Sequence, residues 1–270
     1  MKYYNVQFPG LGLDFKISPV AFNLGNLEIK WYGIIIALGF LLALFYVTKS
    51  ANKFNVNSDK LTNAIMFGLL TGIIGARLYY VIFYPGDYYI NNPVNILYIH
   101  EGGLAIYGGI IGGIIGGIIV AKIQKINILA ALDVSSIGFL IGQSIGRWGN
   151  FMNQEAFGSK TSLPWRMVSE NTYGVGVHPC FLYESIWCFL GFLLLHFFSR
   201  KFRKYNGQIF LMYLLWYGLG RFFIESFRTD SLYLIGSDIK ISQLVAIVTV
   251  FASALLLFIF RHKNNLKSYR

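Results

Sequence analysis

Arg147, Asn150 and Glu155 stand in GRWGNFMNQEAFG at 146–158, where a long apolar segment ends. Those thirteen residues hold an arginine, two asparagines, a glutamine, a glutamate and three glycines. Each ionised group is costly beside hydrocarbon, so it is expected to pair with another polar group or with a ligand. A second set lies in YGLGRFFIESFR at 217–228. Tyr217, Arg221 and Glu225 are four apart and stack on one helical face; Arg228 returns to that side at the helix end. Two readings follow. Arg221 and Glu225 form an ion pair that locks the structure, or two arginines from separate helices converge on a phosphate. The guanidinium fork matches phosphate oxygens and stays ionised in a low-dielectric site. In a membrane the obvious phosphate is a phospholipid headgroup.

Other polar residues sit in or beside apolar runs. Tyr32, in KWYG, reads as an interfacial aromatic anchor or a site residue. Arg77, in GARLYY, suits a hydrogen-bonding or snorkelling role as well as a ligand role. His178 and Glu184 flank the start of an apolar run in HPCFLYE, and Glu184 needs a partner. Asp133 is expected to be structural. GQSIG at 142–146 fits a nucleophile-elbow pattern, but that motif requires a strand–turn–helix setting, and here it falls within a glycine-rich apolar segment. Glycine pairs at 108/109, 112/113 and 116/117 repeat every four residues, the pattern that lets helix backbones approach closely. They leave Glu101 and Tyr107 unexplained.

These residues need elements to hold them. The 270-residue chain is 55% hydrophobic and only 13% charged, against about 25% charged in soluble proteins. It reads as an all-α integral membrane protein. Seven candidate spans fall near 31–48, 61–84, 104–123, 129–151, 181–199, 208–227 and 241–260. Residues 1–30 read as an external arm of short extended or helical pieces lying against the membrane. Residues 31–260 form the membrane domain, with 151–179 its largest external loop, and 261–270 form a basic tail. Of the 23 basic residues, Lys49, Lys53, Lys60, Lys122, Lys125, Arg200, Lys201, Arg203, Lys204, Arg261, Lys263, Lys267 and Arg270 share one side. That side is cytoplasmic by the positive-inside rule, with the N-terminus outside and the C-terminus inside. The net charge of +11 is therefore a topology signal and does not imply nucleic acid. Cys180 and Cys188 are two helical turns apart, too far to bridge, and supply no metal spacing. No signal peptide is expected, because the first apolar run follows a mixed polar segment without a basic start.

GRWGNFMNQEAFG resembles the signature of the bacterial prolipoprotein diacylglyceryl transferases. KWYG at 30–33, GARLYYV at 75–81, EGGLAIYGG at 101–109, TYGVGVHPCFLYE at 172–184 and YGLGRFFIESFR at 217–228 resemble the family's other blocks in the family's order. The resemblance implies a seven-span enzyme of the bacterial plasma membrane, with its site toward the outer face. Such an enzyme moves the diacylglyceryl group of phosphatidylglycerol to the lipobox cysteine of a prolipoprotein signal peptide, forming a thioether and releasing glycerol phosphate. The partners are then that lipid, that peptide and the surrounding membrane. The catalytic set it implies is Arg147, Arg221, Tyr107 and Glu155. The substrate-binding set is Arg147, Asn150, Asn153, Gly158, Tyr32, Tyr217, Glu225 and His178, with the two arginines on the phosphate. Many family members carry histidine where this chain has Tyr107, and that histidine has been proposed as the base.

Charge growing on a departing phosphate is stabilised by preorganised arginines, so the chemistry calls for no metal or cofactor. The attacking thiol reacts as thiolate. His100, His196 and His262 fall in a loop, at an inner helix end and in the tail. Tyr107, Glu155 or Glu225 could take the proton, or the arginine field alone could generate the thiolate. Two rival classes are a phospholipid- or anion-binding transporter and an intramembrane serine protease using Ser144.

Overall fold

The computed structural model describes residues 3–25, 27–98, 102–234 and 236–263. Glu101, His100, Lys267 and Arg270 lie outside the described residues. The chain divides into two compact units, one comprising Thr48–Ala131 and the other Met1–Val47 with Leu132–Arg270.

The larger unit starts with four strands in two antiparallel hairpins, β1 (Tyr4–Phe8) with β2 (Leu13–Ile17) and β3 (Val20–Leu24) with β4 (Leu27–Lys30). The all-α expectation is corrected here, because residues 1–30 alternate polar and apolar side chains and pair as strands. The first hairpin is more than a surface arm. Gln7 exchanges backbone hydrogen bonds with Val168 at 2.8 and 2.9 Å. Tyr4, Val6 and Phe8 are buried with Met167, Val177 and Phe181. The arm and the long loop before residue 180 thus share one apolar core.

Among the described residues, long helices occupy all seven expected segments. They are α1 (Trp31–Ser50), α2 (Ser58–Ile82), α4 (Ile106–Ile123), α5 (Ile128–Asn153), α6 (Cys180–Lys201), α7 (Gln208–Phe227) and α8 (Ile241–Ile259). Helix α3 (Tyr88–Asn91) is a single turn. Among the described residues, six helices are long and apolar enough to cross a membrane, which is the signature of an integral membrane protein. The exception is α7, whose Gln208, Arg221 and Glu225 lower its apolar content.

In the smaller unit α2 packs on α4 through glycines. A Cβ at Gly108 would collide with the Gly75 carbonyl, and one at Gly112 with the Thr71 carbonyl. The four-residue glycine repeat is therefore a close helix–helix seam. In the larger unit Asp133 fixes α7 lengthwise. Fully buried on α5, it accepts hydrogen bonds from Gly207 N (2.8 Å), Phe210 N (2.9 Å) and Arg203 Nε (3.0 Å). It caps the α7 N-terminus, where unpaired amides and the helix dipole favour an anion. At the other end Lys240 Nζ donates to the carbonyls of Glu225 (2.7 Å) and Arg228 (2.8 Å).

Candidate active site

The C-terminal part of α5, the first turns of α6 and the C-terminal half of α7 bring their ionised residues together. Glu184, on α6, is the centre. Arg147 Nη2 donates to its Oε1, and Arg221 Nη1 approaches its Oε2 at 3.4 Å. Tyr217 Oη donates to Oε1 at 3.4 Å. Arg221 Nη2 also lies 2.8 Å from Glu225 Oε2, a charge contact off the hydrogen-bond angle, for that buried oxygen has no hydrogen-bond donor. Arg228 Nε stands 4.0 Å from the same oxygen and binds Asp230 through Nε (2.9 Å) and Nη2 (2.7 Å). Three arginines thus alternate with Glu184, Glu225 and Asp230. Arg221 pairs with Glu225, as the ion-pair reading expects, and also meets Arg147 at the Glu184 carboxylate.

On the other flank Arg147 Nη1 donates to Asn150 Oδ1 at 3.4 Å. Asn150 Nδ2 (2.9 Å) and Asn153 Nδ2 (3.3 Å) donate to Glu155 Oε1. The GRWGNFMNQE stretch can do this because α5 runs to Asn153, putting 147 and 150 on adjacent turns, before Gln154 turns the chain with φ 52°. Glu184 and Glu225 are 4% and 1% exposed at the side chain, Arg147 and Arg221 22% and 18%. The carboxylates are sealed in, and the two arginine side chains are partly exposed. The Nε of Arg147 and of Arg221 makes no hydrogen bond among the described residues, so both forks keep donors for a further anion.

Gly158 serves as a point of close approach. Its amide donates to His178 O at 2.8 Å, and Ser159 N donates to Phe227 O at 2.7 Å. A Cβ at 158 would stand 2.7 Å from His178 Cβ and 2.8 Å from Cys180 Sγ. His178 is held by its ring on Phe227 (centroids 4.6 Å) and by Tyr183 Oη, 3.1 Å from Nδ1. Burial pushes its pKa down, so the neutral imidazole is favoured. Beside it, burial opposes the charge on Arg228, but the Asp230 hydrogen bonds and the Asp230 and Glu225 charges outweigh that and raise its pKa. The Tyr32 ring lies over Gly149, where a Cβ would come within 2.8 Å of Cδ2. It therefore covers the backbone between Arg147 and Asn150.

The remaining expectations divide. Tyr107 belongs to the smaller unit, half exposed, with its ring 6.4 Å from that of Tyr79. Arg77, in the same unit, is structural. It is buried and donates to the carbonyls of Asn95, Ile96, Tyr98, Gly102 and Gly103. Ser144 sits inside α5 with Oγ donating to Ser185 O at 2.9 Å, which is a helix-packing contact. Reading by spacing missed the centrality of Glu184. Its only local signal was a carboxylate inside an apolar run. A cavity of about 380 Å³ opens beside the cluster, with Glu155, Glu170, Tyr173 and Asp230 in its wall.

A buried arginine–carboxylate cluster among long apolar helices marks an integral membrane protein. Residues 19–259 match the sequence model of the family described as prolipoprotein diacylglyceryl transferase, and the chain belongs to that family of transferases. It is similar to the phosphatidylglycerol–prolipoprotein diacylglyceryl transferase of Finegoldia magna (strain ATCC 29328), 44% identical over 237 residues covering 88% of this chain and 93% of the relative. It is likewise similar to the protein of that name from Staphylococcus aureus (strain MSSA476), 45% identical over 266 residues covering 94% of each chain. Neither the fold nor these relatives favour the transporter reading.

Proposed function

We propose that this chain transfers the diacylglyceryl group of phosphatidylglycerol to the lipobox cysteine thiol of prolipoproteins at the Arg147–Arg221 site. The observation that carries the reading is the convergence of those two guanidiniums, from α5 and α7, on one carboxylate. A pocket that fits a carboxylate between two forks also suits the phosphodiester of a lipid headgroup. The cysteine sulfur attacks the glyceryl carbon bonded to the phosphate oxygen. The S–C bond forms as the C–O bond breaks, and both electrons of that bond leave with the phosphate. The thiol proton passes to an acceptor at the site or to the leaving phosphate, which departs as glycerol phosphate. Arg147 and Arg221 stabilise the charge that grows on the phosphate oxygens.

In this reading Glu155 and Tyr107 are the further catalytic residues, and Asn150, Asn153, Gly158, Tyr32, Tyr217, Glu225 and His178 shape the substrate site. All seven long helices, α7 included, cross the bacterial plasma membrane. The N-terminus and the site face outward, and the basic loops and tail face the cytoplasm, as the lysine and arginine distribution supports.

The test is direct. Purified protein in vesicles of phosphatidylglycerol should attach a diacylglyceryl group to a lipobox peptide and release glycerol phosphate. It should do neither with a cysteine-to-serine peptide. Movement of lipid or anion across the vesicle without thioether formation would replace the transferase reading by the transporter reading.

A further inference from the structure

Trp187 on α6 and Trp216 on α7 exchange hydrogen bonds reciprocally. Trp187 Nε1 donates to Trp216 O at 2.9 Å, and Trp216 Nε1 donates to Trp187 O at 3.0 Å. The two indoles stack with centroids 4.3 Å apart and 17° between planes. Each ring also lies on a glycine of the opposite helix. A Cβ at Gly191 would strike the Trp216 ring, and one at Gly220 would strike the Trp187 ring.

Both acceptors are backbone carbonyls, so each indole grips the other helix at a fixed height. Sliding α6 past α7 by one residue is a shift of about 1.5 Å. That shift would break both hydrogen bonds and drive a ring off its glycine into a neighbouring side chain. Half-buried indole N–H groups need such partners. The exchange lies next to the anion site in sequence. Glu184 is one turn from Trp187, Tyr217 follows Trp216, and Arg221 follows Gly220. The contacts of Glu184 with Arg221 and Tyr217 are both 3.4 Å, at the outer limit of hydrogen bonding, where a further slide weakens them steeply.

We propose that Trp187 and Trp216 are positioning residues, setting the register of α6 on α7 and thereby holding Glu184 against Arg221. The consequence for transfer rests on the function proposed above; the register itself does not. Gly191 and Gly220 belong to the same device, because they let the rings lie flat on the opposing backbone.

Two readouts test this. The first ignores function. A double-mutant cycle of Glu184→Gln and Arg221→Ala, read as apparent unfolding temperature in nanodiscs, measures the coupling of that pair. It is repeated in Trp187→Phe and in Trp216→Phe, which keep an aromatic ring and lose the donor. Expected is a coupling that falls by at least about half in either background. The second readout is transfer to a lipobox peptide. Each Phe variant, and Gly191→Ala with both tryptophans intact, should lose about tenfold in kcat/KM. That loss should shrink to less than about twofold in a Glu184→Gln background, because the exchange acts through Glu184. Generalised destabilisation would instead leave the two effects additive. Undiminished coupling in both Phe backgrounds overturns the proposal, as does additivity with Glu184→Gln. A wild-type protein that transfers nothing sinks the functional reading, and the stability cycle alone then decides the register.

Discussion

Arg221 and Glu184 lie 37 residues apart on different helices, yet Nη1 of one stands 3.4 Å from Oε2 of the other. Arg147 reaches the same carboxylate from the opposite direction, also across 37 residues. Glu184 therefore keeps two guanidiniums close that would otherwise repel. Its side chain is only 4% exposed, so the attraction acts where water screens little.

Glu184→Gln keeps the volume and removes the charge. Taking one partner from a buried ion cluster costs about 3–5 kcal/mol, and the residual amide oxygen places the expected loss toward the lower end. Unfolding temperature and transfer should both fall. Phosphatidylglycerol should raise the unfolding temperature of the Gln variant more than that of the wild type, since the lipid phosphate supplies the missing anion. An equal rise in both proteins would mean that the phosphate binds elsewhere.

Arg147→Lys tests the fork. A lysine retains the charge but cannot serve Glu184, Asn150 and a phosphate together. Transfer should drop by about 10²-fold, the scale of losing one well-placed donor, with membrane insertion intact. Near wild-type turnover would reduce Arg147 to a structural cation.

Arg221 and Glu225, at 2.8 Å, are expected to act as a unit. Glu225→Gln should impair transfer because Arg221 loses the group that orients it. Arg221→Ala combined with Glu225→Gln should be little worse than Arg221→Ala alone. Simple addition of the two effects would show the pair to be uncoupled.

Tyr107 carries the proposed chemical role in the smaller unit. Its hydroxyl is expected to act as a hydrogen-bond donor. Tyr107→Phe should cut transfer by about 10²-fold, and Tyr107→His should retain substantial activity. A rising limb in the wild-type pH–rate profile that vanishes in the Phe variant would assign the hydroxyl as base in place of donor. Full activity of Tyr107→Phe would exclude both roles and leave the carboxylates or the arginine field to produce the thiolate.

His178 sets a pH dependence of stability. Burial holds its folded pKa below the ordinary value of about 6.5. The neutral form therefore favours the folded state. Its contribution is fully present above that ordinary value and is lost as the pH falls through the lowered folded one. The unfolding temperature should decline from about pH 7 to pH 5, and His178→Gln should flatten that decline. Identical declines in the two proteins would assign the titration to another group.

Much of the molecule is legible from residue order alone, and the physical reason is locality. Helices show as apolar runs of bilayer length because each backbone group must bond within its own segment in hydrocarbon. The Gly108–Gly117 seam shows as a four-residue repeat. The Arg221–Glu225 pair shows because residues four apart share a face, and Asp133 reads as structural from its depth in a helix. Partnerships between segments are a different matter. Periodicity names the face a side chain occupies but not which distant face it will meet. That Glu184 would join Arg147 to Arg221, that Gln7 would pair with Val168, and that Trp187 and Trp216 would exchange indole bonds were settled only by tertiary packing. The polar groups of α5, α6 and α7 had several possible partners at equal local cost. The arrangement that leaves the fewest buried polar groups and charges unpaired selected among them.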